Sequence, residues 1–506
     1  MGGPFVTAKV LMVQGTASSV GKSLLVAALC RLLARRGYRV APFKAQNMAL
    51  NSAVTPDGLE IGRSTAVQAE AAGVEPAVEM NPILIKPEAG SRAQVVLLGR
   101  PAGALPSQEY AHRLPTLWGA VTSSLDKLRA VYDVVVIEGA GSPAEINLRD
   151  GDIVNMRVAL YAQAPVLLVG DIDRGGVFAS LVGTLALLEP EERALVQGFV
   201  INRFRGDVAL LEPGLRTLQD LTGVPVLGVV PYLHGLRIAE EDAVALERPI
   251  TTGDGPLDIA VVHLPHISNF DDFDLLGAEP AVRLRYVGEA AALARPDLLI
   301  LPGTKATTAD LSFLRATGLA ERILALARAG TPILGICGGY QMLGRRIQDP
   351  DRVESAEAEV AGLNLLPVQT RFLGEKRTRQ VRARTATSDG PFASLGQEVV
   401  SGYEIHMGVT ESAGTPLFRV QAKGEEEHPD GCLGAGGQIA GTYLHGLFES
   451  TSARRALLEW LAGRRGVQLQ VASTLSRQAE YDRLADCVEE HIDVAAVWRL
   501  AGLETR

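Results

Sequence analysis

Short runs that are apolar at nearly every position, each closed by glycine or polar residues and followed by a helix-like stretch, recur along the whole chain. Lys9–Val13, Tyr132–Ile137, Pro165–Val169, Val196–Ile201 and Val226–Val230 lie in the amino-terminal half, and Asp258–Val262, Asp297–Leu301 and Ile333–Ile336 in the carboxyl-terminal half. A strand with one face in water alternates apolar and polar residues, so runs of this kind are buried on both faces. Separated by helices, they specify parallel sheets covered on both sides, an α/β architecture. A chain of 506 residues, 47% hydrophobic and 21% charged, has material for two large cores. Between Glu241 and Leu257 it turns polar and gains Gly and Pro, the composition of a linker. We therefore expect one domain over 1–245, a linker over 246–256, a second domain over 257–452, and a helical segment, 453–506, packed on the second domain. Arg477–Leu500 reads as one amphipathic closing helix without chemistry.

The strand ends carry the chemistry. After Lys9–Val13 comes Gln14-Gly15-Thr16-Ala-Ser-Ser-Val-Gly21-Lys22-Ser23, then a helical run from Leu24 to Arg36. Strand, glycine loop and helix N-terminus form a phosphate cradle in which Lys22 reaches the outer phosphates and Ser23 can ligate Mg²⁺. Five residues, not four, separate Gly15 from Gly21, so the loop is longer than a strict P-loop. The next strand ends in Lys44, Gln46, Asn47, Met48, Asn51 and Ser52, a density of polar groups that points to substrate or metal contacts rather than a simple capped turn. Glu138 ends a wholly apolar strand, where a lone carboxylate is costly unless it meets a cation, and so is read as a Mg²⁺ ligand. Asp171, Asp173 and Arg174 close another strand, with Arg174 able to grip a phosphate or carboxylate and structural ion pairing as the alternative.

In the second half, Ile333–Ile336 leads into Cys337-Gly338-Gly339 and a helix start at Tyr340. This is a nucleophile elbow with cysteine in place of serine. The thiol sits at a helix N-terminus, which favours the thiolate, beside backbone N–H groups able to hold an oxyanion. Gly303, at the turn after Asp297–Leu301, offers the second oxyanion N–H beside that of Gly338, and His445, ending Gly441–His445, is the base a thiol requires. Glu404 and His406 share one face of their strand and line either the pocket or an interface, or form a satisfied structural pair.

The order of these elements resembles the class I, triad-type glutamine amidotransferases, a flavodoxin-like fold. The resemblance implies that Cys337 attacks the glutamine side-chain amide, that His445 moves the protons, and that ammonia leaves before the thioester is hydrolysed. That family carries an acidic residue two positions after the histidine; here it is Leu447, and no third member is assigned. The longer phosphate loop resembles dethiobiotin synthetase. This likeness implies a lysine, here Lys44, near the acceptor and transferred phosphate, a Mg²⁺-ligating role for Glu138, and adenine recognition around Asn202. Partitioning ATPases carry a second lysine where this chain has Ala17.

A carboxylate-phosphorylating ATP site joined to a glutaminase implies conversion of an acid to an amide. The stretches Phe43–Ser52, Glu138–Asn147, Asp171–Ser180, Ile267–Phe270 and Gly402–His406 resemble the cobyrinate amidotransferase group of cobalamin biosynthesis. His266 and Asp271 stand where Arg and Thr are usual in that group. Within it, the likeness is to the branch that amidates the b, d, e and g side chains of adenosylcobyrinic acid a,c-diamide, with ATP, glutamine, Mg²⁺ and the corrinoid as small-molecule participants and no tightly bound organic cofactor. The rivals are the branch that makes the a,c-diamide and, more remotely, a non-catalytic P-loop switch. A net charge of -9 argues against nucleic acid as a partner. Four cysteines far apart (Cys30, Cys337, Cys432, Cys487) and no apolar run of membrane length lead us to expect a cytoplasmic protein without disulfides or a zinc site.

Overall fold

The fold starts from a buried strand, β1 (Lys9–Gly15), whose neighbours on both sides are parallel to it. The structure, a computed structural model, describes residues 7–88, 92–106, 110–238, 251–355, 357–434, 436–469 and 476–503. It divides into two units, one of Met1–Ala49, Glu60–Ile238 and Ser476–Arg506, the other of Leu50–Leu59 and Ala239–Leu475.

In the first unit β1 is followed by α1 (Lys22–Arg35), β2 (Val40–Lys44), α2 (Arg63–Ala71), β3 (Val134–Glu138), β4 (Val166–Asp171), β5 (Val196–Phe204) and β6 (Val226–Pro231). The six strands form one parallel sheet in the order β6-β5-β4-β1-β3-β2. Every residue of β2 and β3 is buried, the consequence of apolar runs covered from both faces. α1 presents Leu25, Leu29, Leu32 and Leu33 inward at three- and four-residue spacing.

The closing segment departs from expectation twice. Arg477–His491 and Val494–Leu500 are two helices, because Ile492 is extended against Gly228 and Asp493 caps the second helix through Ala496 N–H at 2.8 Å. The first of them also packs on the nucleotide-type unit rather than on the second sheet. Asp482 accepts hydrogen bonds from Arg31 and Arg35 of α1, and Tyr481 donates to Glu70 of α2 at 2.8 Å.

The second unit holds β7 (Thr251–Thr252), β8 (Leu257–Val262), β9 (Val282–Val287), β10 (Leu298–Leu301), α3 (Thr307–Ala316), β11 (Ile333–Ile336) and α4 (Gly338–Leu343). After these come β12 (Val368–Thr385), β13 (Val400–Ser412), β14 (Cys432–Leu433), β15 (Ile439–Thr442) and α5 (Thr451–Arg465). Its main sheet runs β7-β9-β8-β10-β11-β15-β14, with five parallel strands between antiparallel edges. β7 lies inside the segment read as linker; most of the rest of that segment falls outside the described residues. β12 and β13 add a long antiparallel hairpin to a separate sheet.

Gly228 is the close-approach point of the closing segment: a Cβ there would lie 2.3 Å from the His491 carbonyl oxygen and 2.8 Å from Ile492 Cα. Because both obstacles are backbone, Gly228→Ala is expected to lower stability by about 1–3 kcal/mol in urea unfolding. Unchanged stability would contradict the docking of Ile492 on β6.

Candidate active sites

In the first unit the phosphate-type loop leaves β1 at the centre of the sheet. Gly21 adopts φ 95, a conformation that favours glycine, and a Cβ on it would lie 2.1 Å from Asn202 Nδ2. Asn202 donates to the Val20 carbonyl at 2.8 Å and accepts the Arg203 N–H at 2.9 Å, so its side chain clasps the loop. Thr16 N–H is bonded to the Val169 carbonyl at 2.9 Å. Lys22 directs its ammonium to the carbonyls of Ala17 and Gly141 at 2.9 and 3.0 Å.

Beside the loop, β2 and β3 pair Lys44 with Glu138 in register. Glu138 Oε1 receives the Ser23 hydroxyl at 2.7 Å and the Lys44 ammonium at 3.0 Å, while Oε2 receives Gln68 Nε2 at 2.5 Å. Burial disfavours the charged carboxylate, but the Lys44 cation and the hydrogen bonds from Ser23 and Gln68 outweigh it and hold the Glu138 pKa below its ordinary value. One hydroxyl and one carboxylate at a phosphate-type loop are hard oxygen donors of the kind Mg²⁺ takes when substrate phosphates complete its shell. Among the described residues no group of three His, Cys, Asp or Glu could cage a metal alone.

The remaining sequence candidates separate. Asn47 is fully buried with its amide on Ser64 Oγ at 3.3 Å, and Gln46 is half-buried. Asp173 and Arg174 are exposed, and Asp173 is paired with Arg205 at 2.8 Å. Two residues that the sequence did not single out are part of this centre. Gln68 holds Glu138, and Asn81 donates to the Lys44 carbonyl at 3.0 Å while accepting the Gly62 N–H at 2.9 Å.

In the second unit Cys337 directly follows β11 with φ 52 and ψ -111, a strained positive-φ conformation for a residue with a side chain. Its N–H is tied to the Thr442 carbonyl at 2.9 Å and its thiol lies 3.6 Å from the Ile405 carbonyl. The elbow faces the turn after β10 at close quarters. A Cβ on Gly338 would lie 2.6 Å from Thr304 Cγ2, and one on Gly303 would lie 3.1 Å from His445 Cε1.

His445 is fixed on several sides. Asp272 Oδ2 is 2.6 Å from Nδ1, and Asp272 Oδ1 accepts the Gly446 N–H at 2.8 Å. Tyr403 exchanges backbone hydrogen bonds with His445 at 3.1 and 2.9 Å, and its ring stacks on the imidazole at 5.2 Å between centroids. Asp430 anchors the preceding strand end by accepting the Thr442 hydroxyl and the Tyr443 N–H. Among the described residues Nε2 has no well-aligned hydrogen-bond partner, and the Cys337 thiol is the group that interacts with the imidazole besides Asp272. Burial disfavours the imidazolium, but the Asp272 carboxylate outweighs it and raises the His445 pKa to about 10. An acceptor on Nδ1 fixes the tautomer and leaves Nε2 for proton exchange with a thiol. His406, by contrast, is lowered to about 3 by burial and then by Arg377, is stacked on Tyr443 at 3.7 Å, and stays neutral. Glu404 is ion-paired with Arg379.

Asp272 is the acid that the spacing around His445 does not provide. It lies 173 residues upstream, in the short turn Phe270–Phe273.

Comparison with known proteins matches both halves of the chain to known domains. Residues 11–245 match the CobQ/CobB/MinD/ParA nucleotide binding domain, and residues 258–453 match the CobB/CobQ-like glutamine amidotransferase domain. The cobyric acid synthase of Sorangium cellulosum (strain So ce56) is 56% identical over 99% of this chain and 100% of its own length. The chain belongs to the cobyric acid synthase family. Two more members, from Moorella thermoacetica (strain ATCC 39073 / JCM 9320) and Dehalococcoides mccartyi (strain CBDB1), are 52% and 50% identical over 98% and 97% of this chain, covering 98% and 99% of their own. As in that family, this is a glutamine-hydrolysing carbon–nitrogen ligase of cobalamin biosynthesis with an ATP-binding domain. No helix among the described residues is long and apolar enough to cross a membrane.

Asp272→Asn removes the charge that raises the His445 pKa, so the imidazolium should lose its proton at lower pH. We expect the alkaline limb of the glutaminase profile to move acidward and kcat to fall by roughly 10²- to 10⁴-fold. An unchanged limb would contradict the pairing.

Proposed function

We propose that the chain amidates the b, d, e and g carboxylates of adenosylcobyrinic acid a,c-diamide to give adenosylcobyric acid, in the cytoplasm, using ATP and glutamine. The observation that carries this reading is one chain holding two reactive centres, a thiol–imidazole–carboxylate set and a lysine-bridged carboxylate beside a phosphate loop.

At the first centre Lys22 and the N–H groups from Gly15 to Ser23 bind the ATP phosphates. Ser23 and Glu138 would hold Mg²⁺, which screens the phosphate charge. Lys44 guides the substrate carboxylate, one oxygen of which bonds to the γ-phosphorus as the bond to ADP breaks. The product is an acyl phosphate. Asn202 acts through its hold on the loop, and Gln46, Asn47, Asp173 and Arg174 are assigned to the acid substrate or the phosphoryl group.

At the second centre the Cys337 sulfur attacks the glutamine Cδ after His445 takes the thiol proton. N–H groups at Gly303 and Gly338 stabilise the oxyanion. Collapse breaks the C–N bond, with His445 giving its proton to the leaving nitrogen, and water then cleaves the thioester to glutamate. Ammonia adds to the acyl phosphate carbon, phosphate leaves, and an amide remains.

Cys337→Ala is expected to abolish glutamine-dependent synthesis while synthesis from free ammonia persists, as measured by corrinoid amidation. Loss of both would mean that the two centres are not separable. Lys22→Ala should remove synthesis from either nitrogen source, and full activity in that variant would refute the role of the loop.

A further inference from the structure

Residues 50–59 follow Lys44 in sequence yet belong to the unit that holds Cys337 and His445. The Asn51-Ser52 pair and Asn269 are joined by two hydrogen bonds of opposite direction. Asn269 N–H donates to Asn51 Oδ1 at 2.7 Å, and Ser52 N–H donates to Asn269 Oδ1 at 3.1 Å. Exposure at Asn51, Ser52 and Asn269 is 0%, 1% and 3%, so water cannot replace either bond. Asn269 has φ 52, a conformation that asparagine tolerates better than most residues, and its own carbonyl accepts the Asp272 N–H at 3.1 Å. That bond opens the turn from which Asp272 reaches His445.

The same segment meets the far side of the pair. Val54 clusters with Tyr403 and Ile405, and its carbonyl accepts Gln380 Nε2 at 2.8 Å. Tyr403 stacks on His445, and the Ile405 carbonyl faces the Cys337 thiol. A contiguous buried chain therefore runs from Asn51 through Asn269 and Asp272 to the imidazole.

We propose that Asn51 is a positioning residue of the glutaminase, setting with Asn269 the turn that aims Asp272 at His445. The inference rests on the reading of Cys337 and His445 as the glutaminase pair, and assigns part of its support to a segment that the sequence allots to the ATP half. Asn51 touches no reacting atom. It acts by fixing a donor–acceptor geometry in which a displacement of an ångström is costly.

The test uses the full-length Asn51→Ala and Asn51→Asp proteins. The groups facing His445 are Asp272, Cys337, Tyr403 and His406, so a loosened Asp272 is read directly in the alkaline limb of the kcat/KM profile. For Asn51→Ala the expected result is a roughly 10- to 100-fold lower glutaminase kcat with KM for glutamine nearly unchanged, an acidward limb, and ammonia-dependent amidation retained. Asn51→Asp keeps an acceptor oxygen in either protonation state and should restore the rate and the limb. Wild-type kcat and limb in Asn51→Ala overturn the proposal. So does loss of ammonia-dependent amidation with glutaminase intact, which would put Asn51 in the acid-activating centre, and so does loss of every activity in both variants. A wild-type protein that hydrolyses no glutamine would instead overturn the underlying reading.

Discussion

The hydrogen bond between Asp272 and His445 is the constraint on which the second unit is arranged. A buried imidazole is disfavoured as a cation, and a thiol nucleophile needs that cation beside it; only a buried, oriented carboxylate reconciles the two. The cost of burying Asp272 is met by a second acceptor role toward the Gly446 N–H, which also fixes the chain just past the histidine. The strained elbow at Cys337, the stacked Tyr403 and the anchoring of Thr442 by Asp430 hold the other partners in place. Strain of this kind persists only where surrounding packing over-determines it, and every residue of α4 behind Cys337 is buried.

The first unit solves the same problem with different groups. Glu138 is a carboxylate at the end of a wholly buried strand, kept ionised by Lys44 from the adjacent strand and by two neutral donors. Parallel pairing of β2 with β3 puts both charges at one carboxyl edge, next to the loop after β1. In open α/β sheets that edge is where ligands bind, so fold and site follow from one arrangement of strands.

What the sequence made legible is what depends on local spacing. The continuous apolar runs predict the parallel strands, Gly21-Lys22-Ser23 after a strand predicts the loop, and Ile336-Cys337-Gly338-Gly339 predicts the elbow. Asp272 escaped because the distance to His445 along the chain is set by topology, and an acid among Asp271, Asp272 and Asp274 carries no signal of its own. Gln68 sits in a helix whose pattern reads as plain packing, so its grip on Glu138 is visible only in three dimensions. The closing helix failed for a related reason: an amphipathic pattern says that a helix has a buried face, not which sheet it covers. Residues 50–59 are the same case, since contact between Asn51 and Asn269 spans 218 positions.

The most direct measurement is mass spectrometry of adenosylcobyrinic acid a,c-diamide incubated with the enzyme, ATP, Mg²⁺ and amide-labelled glutamine. The account predicts incorporation of label at all four of the b, d, e and g side chains. An unchanged mass, together with amidation of undiamidated cobyrinic acid, would contradict the substrate assignment while leaving the two chemical centres intact.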